Sequence, residues 1–577
     1  MRSDETQTKN RLNVGLRLCV EAAASGDQTA IAEPFKRFGR TKRNAAGDAV
    51  YRSISFAELA ARKERVAANL VAAGLKPGMK LVLMVRPGID FVTLVYALFQ
   101  AGAVVVMIDP GMGLAKMIDC LASVKPDGFV AIPPVHALRI WHRKKFPAAR
   151  FNVTVGRRFF WGGPTLAQLE RDTNAERFVA DTTAESDAAI MFTSGSTGPA
   201  KGVLYSHGII AAQADEIAAR FDIKPGGVDL AGFPFFGLYD AAHGTTMIVP
   251  DMDTTRPASV NPKTYIETAK RFGATQSFAS PALWNKVVRY AAANALCMPS
   301  LTRAISSGAP FPVKLLSDFL SVIAPDGDIF TPYGATESLP VAEIGAREIL
   351  GETAEKTKLG RGVCVGKKFD QIRWRLIPIT DEPFETLEKI PPLETGQIGE
   401  LIVTGPQVTR RYVTRTEANA LSKITDSAGN IWHRIGDVGL IDERDRFWFC
   451  GRKAHRVETF EHGTLFSVPC ESIFNQHPAV ERSALASFPD TKHKGFRLPV
   501  IFIELKNGRL PVNTPDDERL IEEITALGKA SPVTSAIDTI RFLETFPVDI
   551  RHNAKINREL LCEWAEQAQA GRIEERW

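Results

Sequence analysis

Cysteine is scarce in this chain and poorly placed for a structural role. Cys19, Cys120, Cys297, Cys364, Cys450, Cys470 and Cys562 are odd in number and scattered, and they form no close CxxC-type pair. They read as reduced thiols, neither a bridged framework nor a metal-ligand set. An excess of one charge is also missing. Against 71 Lys and Arg stand 66 Asp and Glu, a formal net charge of +5. No long basic run occurs, so nucleic acid is not an expected partner. The amino terminus, MRSDETQTKNRLNVG, lacks the apolar run of a secretory signal, and a cytoplasmic protein is expected. No repeat of fixed period is evident. The one long apolar stretch, Phe91 to Ile108, approaches the roughly 20 residues that span a bilayer. Gln100, Ala101 and Gly102 split it into a helix-like half and a β-branched half. The pattern therefore predicts a buried helix, a glycine stop and a buried strand, with no transmembrane segment.

What is present is an ordinary globular composition, 45% hydrophobic and 24% charged, over 577 residues. That length exceeds the roughly 250 to 300 residues at which single cores stop growing, so two or more domains are expected. Strand-like and helix-like segments alternate: Lys80 to Val85, then Asp90 to Gln100, then Ala103 to Ile108, then Leu114 to Val124. This is the pattern of α/β layers. Further apolar strands are expected at Ala188 to Phe192, Met247 to Val249, Leu401 to Val403 and Phe447 to Cys450. Sequence character changes after Gly451 and Arg452, where shorter strands and the helix-like Asp516 to Leu527 follow. The expected division is 1–451 and 452–577.

Residues Thr193 to Lys201 read TSGSTGPAK, directly after an apolar strand. Gly195, Gly198 and Gly202 let backbone approach an anion, while the hydroxyls of Thr193, Ser194, Ser196 and Thr197 can donate to phosphate oxygens. Lys201 adds positive charge. A Walker loop requires G-x-x-x-x-G-K-S/T, whereas this lysine follows Gly198 by three and precedes glycine.

On these residues the sequence resembles the AMP-forming adenylate superfamily of acyl-CoA synthetases, luciferases and peptide-synthetase adenylation domains. Its loop matches that family's phosphate signature with Pro199 and Ala200 in swapped positions. Further motifs recur in the family's order. Ser307, Gly308 and Ala309 resemble the stretch that packs on adenine. Tyr333 to Glu337 reads YGATE, which by resemblance supplies Tyr333 and Gly334 at the nucleotide, Thr336 as a catalytic group and Glu337 for Mg²⁺. Mg²⁺ takes few carboxylates beside phosphate oxygens, so one glutamate suffices. GELIVTG at 399–405 leads towards Asp437 and Arg452, which the resemblance places at the ribose. KINREL at 555–560 resembles the motif whose lysine, here Lys555, enters the site from a small mobile domain. As carboxylate attacks the α-phosphate, charge builds on phosphoryl oxygens, and an ammonium stabilises it. The implied fold is a large α/β adenylation domain of layered sheets and helices with a small, mobile C-terminal α+β domain. The implied cofactors are ATP and Mg²⁺.

Departures from the pattern concern the second half-reaction. The usual hinge aspartate or lysine is Ala454, the following lysine is Glu458, and the expected glycine is displaced to Gly463. In CoA ligases this region lines the thiol's route, so CoA is not an expected cosubstrate. Pro547 precedes Lys555 by two extra residues, Ala554 replaces a glycine, and Gly237 replaces a common histidine. Together with GRKAHRVET at 451–459 and PVDIRHNAKI at 547–556, these residues resemble the branch of bacterial olefin β-lactone synthetases. That resemblance implies a long-chain 2-alkyl-3-hydroxy acid as substrate, its own 3-hydroxyl as acceptor, and other hydrocarbon-biosynthesis enzymes as partners. Phe233, Phe235, Phe236, Tyr239 and His243 are candidates for an acyl pocket, although core packing explains the aromatics equally well. His207 and His243 are conceivable bases, with a structural role the simpler reading of each. A fatty acyl-CoA or carrier-protein ligase and a non-catalytic acyl or nucleotide sensor are the alternatives.

Overall fold

The computed structural model describes residues 11–37, 39–172, 174–193, 200–233, 235–308, 311–512, 514–548 and 556–570. Contacts divide the chain into two compact units. The first holds residues up to 341 with 369–372 and 404–423; the second holds 342–368, 373–403 and 424 onwards. The fold is mixed α/β, as expected.

In the first unit, seven strands form a sheet in the order Asp328–Phe330, Arg303–Ser306, Gln276–Ala279, Val228–Leu230, Thr246–Ile248, Thr29–Pro34 and Tyr51–Ser55. All neighbours are parallel except the last pair. A second sheet runs Gly202–Ser206, Asp187–Phe192, Val104–Met107, Lys80–Met84, Gly128–Ala131 and Phe151–Thr154, parallel apart from its first pair. The split predicted within Phe91 to Ile108 is realised. Helix Ile89–Gln100 is buried over almost its whole length and strand Val104–Met107 completely so. Among the described residues no helix is long and apolar enough to cross a membrane. One core, with Ile31 and Met247 from the first sheet and Leu81 and Val105 from the second, joins the sheets through that helix and Phe56–Ala72. Ser55 and Glu58 cap the latter reciprocally.

Parallel order gives the strands of each sheet a common carboxyl end, where α/β folds bind ligands. Thr193 follows Asp187–Phe192, Phe233 follows closely on Val228–Leu230, and Ser307 follows Arg303–Ser306.

The second unit contains the strand order Val363–Lys368, Arg446–Arg452, Ile431–Ile441, Gly399–Thr404 and Arg373–Ile377, antiparallel through its first four members. It also holds the three-stranded sheet Val480–Pro489, Arg497–Leu505 and Thr539–Leu543, with helices Ser467–Phe474, Pro515–Ala530 and Arg558–Gln569. Gly451 and Arg452 end the strand Arg446–Arg452.

Candidate active site

The segment expected to hold phosphate is closed at its base. Thr193 N donates to the Lys201 carbonyl, and Lys201 N donates back to Thr193 Oγ1, both at 3.1 Å. Ser194, Gly195, Ser196, Thr197 and Gly198, which the loop motif names, lie outside the described residues, as do Ala309 and Lys555.

Beyond Lys201 the chain pairs with a distant segment. Gly202 N donates to Thr414 Oγ1 at 2.8 Å, Val413 N to the Gly202 carbonyl at 2.9 Å, and Val203 bridges Tyr412. The same segment pairs with the YGATE strand. Ser338 bridges Val408, and Thr409 donates from N and Oγ1 to the Glu337 carbonyl, each at 2.9 Å. Tyr205 OH donates to the Thr336 carbonyl. These pairings bring Lys201, Thr336, Glu337, Tyr412 and Lys423 into one group within the first unit.

Tyr412 is its centre. Its phenol donates to Glu337 Oε1 at 2.6 Å, and the Lys201 ammonium stands 4.8 Å from its ring centre. Burial, reinforced by Glu337, pushes the phenol's pKa up, so it stays a donor. Lys423 Nζ donates to the Thr409 carbonyl and stands 5.8 Å from the same ring. Burial pushes its pKa down to about 7; Glu337 opposes that shift and Lys201 adds to it. Neither Tyr412 nor Lys423 was anticipated from the sequence. The one signal for Tyr412 is that 408–414 follows two residues after GELIVTG; Lys423 has none.

The fit of Glu337 to Mg²⁺ rests on its second oxygen. Oε1 is taken by Tyr412, Oε2 accepts no hydrogen bond among the described residues, and the side chain is 9% exposed. One such carboxylate suits Mg²⁺, which fills its remaining positions with water and phosphate oxygens. No group of three or more metal-ligating side chains occurs among the described residues.

Tyr333 and Gly334 open the strand Tyr333–Ala335, and a Cβ on Gly334 would meet the Ser338 carbonyl at 2.7 Å. Gly308 has φ +93°, a conformation that glycine adopts without strain. Phe236 stacks on Phe278 with ring centres 4.6 Å apart, Phe233 packs on the same ring, and Phe235 meets Phe91 edge-on. Tyr239 OH donates to Gln213 Oε1 at 3.1 Å, and Gln213 Nε2 donates to the Leu339 carbonyl at 3.0 Å. The aromatic cluster is thereby tied to the strand Ser338–Glu343, which follows Glu337 directly. Phe233 and Phe235 remain partly exposed, at 46% and 37%. His207 is fully buried and its Nδ1 accepts from Val14 N at 3.2 Å. Burial pushes both His207 and His243 down to about 4, so both rings are neutral near pH 7.

In the second unit, Asp437 and Arg452 face each other across paired strands, with Oδ1 and Nη1 3.0 Å apart. Arg434 and Glu400 form a buried ion pair at 2.6 Å, and Lys453 stands 3.3 Å from the same carboxylate. Arg456 binds both Asp381 and Glu458 at 2.8 Å. The displaced Gly463 starts the return strand of a hairpin with Val457–Thr459, so the extra residues form its turn. Val548 bridges Ile556, Asn557 N donates to the Pro547 carbonyl at 2.8 Å, and Arg558 clasps Glu471. Pro547 and Val548 are thus paired with Ile556 and Asn557.

The chain belongs to the AMP-binding enzyme family, whose model matches residues 22–413. It is an AMP-forming ligase that uses ATP and Mg²⁺. It is 42% identical over 531 residues to an olefin β-lactone synthetase of Xanthomonas campestris pv. campestris, covering 91% of this chain and 93% of that one. It is 40% identical to the olefin β-lactone synthetase of Stenotrophomonas maltophilia, covering 96% and 98%. In fold it is similar to ATP-bound MatB from Rhodopseudomonas palustris, with TM-score 0.73, 20% identity and 97% and 99% coverage. The amide bond synthetase McbA from Marinactinospora thermotolerans gives TM-score 0.73 at 18% identity, covering 96% and 100%.

Proposed function

We propose that the protein activates a long-chain 2-alkyl-3-hydroxy carboxylic acid as its acyl-adenylate and closes that intermediate to a β-lactone. The observation that carries this reading is 40–42% identity to two olefin β-lactone synthetases over at least 91% of the chain. In the first step a carboxylate oxygen attacks the α-phosphorus, the bond to the β-phosphate breaks and pyrophosphate leaves. In the second the substrate's 3-hydroxyl oxygen attacks the acyl carbonyl, its proton passes to solvent, and AMP leaves with the electron pair of the broken C–O bond. Holding hydroxyl and carbonyl in one bound molecule avoids the entropy of recruiting a second.

In this reading the loop from Thr193 to Lys201 cradles the β- and γ-phosphates, with Lys423 as a second cation beside them. Tyr412 orients Glu337, and Glu337 and Thr336 face the triphosphate. Glu337 would hold Mg²⁺, which supplies charge neutralisation at the phosphates. Ser307 to Ala309, Tyr333 and Gly334 enclose adenine, and Asp437 and Arg452 bind ribose. Lys555 meets charge on the α-phosphate, carried on a mobile domain 452–577 that hinges on the adenylation domain 1–451. The cluster of Phe235, Phe236, Tyr239 and His243 borders the acyl chain. Glu458 stands where CoA ligases carry lysine and is paired with Arg456, which supports a reaction without CoA. ATP–pyrophosphate exchange with a long-chain 3-hydroxy acid tests the first step; no exchange with any long-chain acid would refute it.

A further inference from the structure

Between Asp127 and Glu170 the chain carries no acidic side chain. Over the same stretch it carries Arg139, the basic run RKK at 143–145, Arg150, and the pair Arg157 and Arg158. Large apolar side chains are exposed there too: Trp141 at 84%, Phe160 at 82% and Phe159 at 53%. Bare aromatics of this size on a surface of one charge sign call for a partner.

The exposure is built into the fold. Trp161 is buried, donates from Nε1 to Thr154 Oγ1 at 2.9 Å, and stacks on His136 of helix Pro133–Trp141 at 5.5 Å. Phe159 and Phe160 pack against this fixed indole at 5.4 and 5.3 Å, and the Arg157 guanidinium lies 5.5 Å over Phe159. The loop ends at Gly163, φ +93°, where a Cβ would meet the Asn152 carbonyl at 1.9 Å. A buried pedestal thus presents two phenyl rings outwards beside the helix that ends in Trp141.

The charges are largely unneutralised. Lys145 pairs with Asp119, but Arg143, Lys144, Arg150 and Arg157 are exposed and make no ion pair among the described residues. Arg139 likewise makes none, its buried Nε lacks a hydrogen-bond partner, and burial pushes its pKa down. A guanidinium in that condition gains from an arriving anion.

We propose that the flank of edge strand Phe151–Thr154, with Trp141, Phe159 and Phe160 and the cations Arg139, Arg143, Lys144 and Arg157, forms a docking surface for an anionic lipid bilayer. Aromatic rings seat at the depth of the headgroups while arginine and lysine meet lipid phosphates, and the two contributions reinforce each other. Exposed aromatics among unpaired cations match an anionic bilayer, which offers headgroup phosphates and an apolar interior together. Phe159 and Phe160 follow the carboxyl end of strand Phe151–Thr154, the end that Thr193 shares at Asp187–Phe192, while Trp141 and the RKK run precede its amino end. Those two strands are four strand spacings apart, roughly 19 Å at about 4.8 Å each. Binding is independent of the chemistry. Its benefit, direct delivery of a membrane-borne long-chain acid, rests on the proposed function.

Co-sedimentation of the full chain with vesicles of phosphatidylglycerol and phosphatidylcholine, against phosphatidylcholine alone, tests this. Binding to the anionic vesicles is expected, weakening as salt rises, and falling about tenfold or more in Phe159→Ser/Phe160→Ser and in Arg143→Glu/Lys144→Glu. Thermal melting and ATP–pyrophosphate exchange with a soluble short-chain acid should stay at wild-type levels in both variants, which separates lost docking from lost folding or lost chemistry. Equal partition of wild type and the serine variant overturns the proposal, as does absence of anionic-vesicle binding at low salt. A concentration-dependent dimer that the serine substitutions dissolve, without vesicle binding, also overturns it and assigns the surface to a second copy.

Discussion

The Tyr412 phenol donates to Glu337 Oε1 at 2.6 Å and leaves the other carboxylate oxygen without a hydrogen bond among the described residues. A buried carboxylate with one oxygen fixed and one available is oriented before its ion arrives, which lowers the cost of binding. Tyr412→Phe should therefore raise the Mg²⁺ concentration needed for half-maximal exchange and lower kcat/KM by roughly tenfold, the expected cost of one lost hydrogen bond to a charged group. A magnesium titration of ATP–pyrophosphate exchange checks this; an unchanged titration would exclude the orienting role.

Lys423 is held by Thr409 and faces the same ring as Lys201. Burial holds the Lys423 pKa near 7, so an arriving triphosphate would draw it into its charged form beside Lys201. Lys423→Met should raise KM for ATP by about tenfold with a smaller change in kcat, and Lys423→Arg should recover part of it. Loss of kcat at unchanged KM would point to a different role.

Lys555→Ala should abolish adenylation while ATP binding stays measurable, because an ammonium that acts on developing α-phosphate charge contributes to the transition state more than to the ground state. Isothermal titration with ATP beside the exchange assay separates the two. Turnover at the wild-type rate would remove Lys555 from the mechanism.

The same core that carries the aromatic cluster hides a carboxyl pair. Asp229 and Asp240 are buried, and Gln276 Nε2 donates to Asp240 Oδ1 at 3.2 Å. Burial pushes both carboxyls above the ordinary range, and the charge of Asp229 raises Asp240 further. A native state that binds more protons than the unfolded chain loses stability as pH rises from the ordinary carboxylate range towards neutrality, by up to about 1.4 kcal/mol per pH unit for each proton. Asp229→Asn should flatten that slope and raise Tm at pH 8 more than at pH 5. An equal shift at both values would show that the pair does not titrate between them.

Legibility from the sequence followed distance along the chain. The loop at 193–201 and YGATE stood out as candidates because the first crowds hydroxyls and glycines into a few positions and the second matches a family motif. The buried helix and strand within Phe91 to Ile108 were readable because Gly102, φ +77°, marks the break between them. Tyr412 and Lys423 were not readable. They reach Glu337 through pairing of 408–414 with two strands, 202–206 and 338–343, that are remote in sequence. Asp229 and Asp240 pass as ordinary charges until the fold buries both. The aromatics at 233–239 were ambiguous for a physical reason: Phe236 stacks in the core on Phe278, while Phe233 and Phe235 stay partly exposed.

The most direct measurement is analysis of the products formed from ATP, Mg²⁺ and a 2-alkyl-3-hydroxy acid with and without CoA. The proposed function predicts a β-lactone, AMP and pyrophosphate in equal amounts whether or not CoA is present. A thioester that forms only with CoA, with no lactone in either sample, would contradict it.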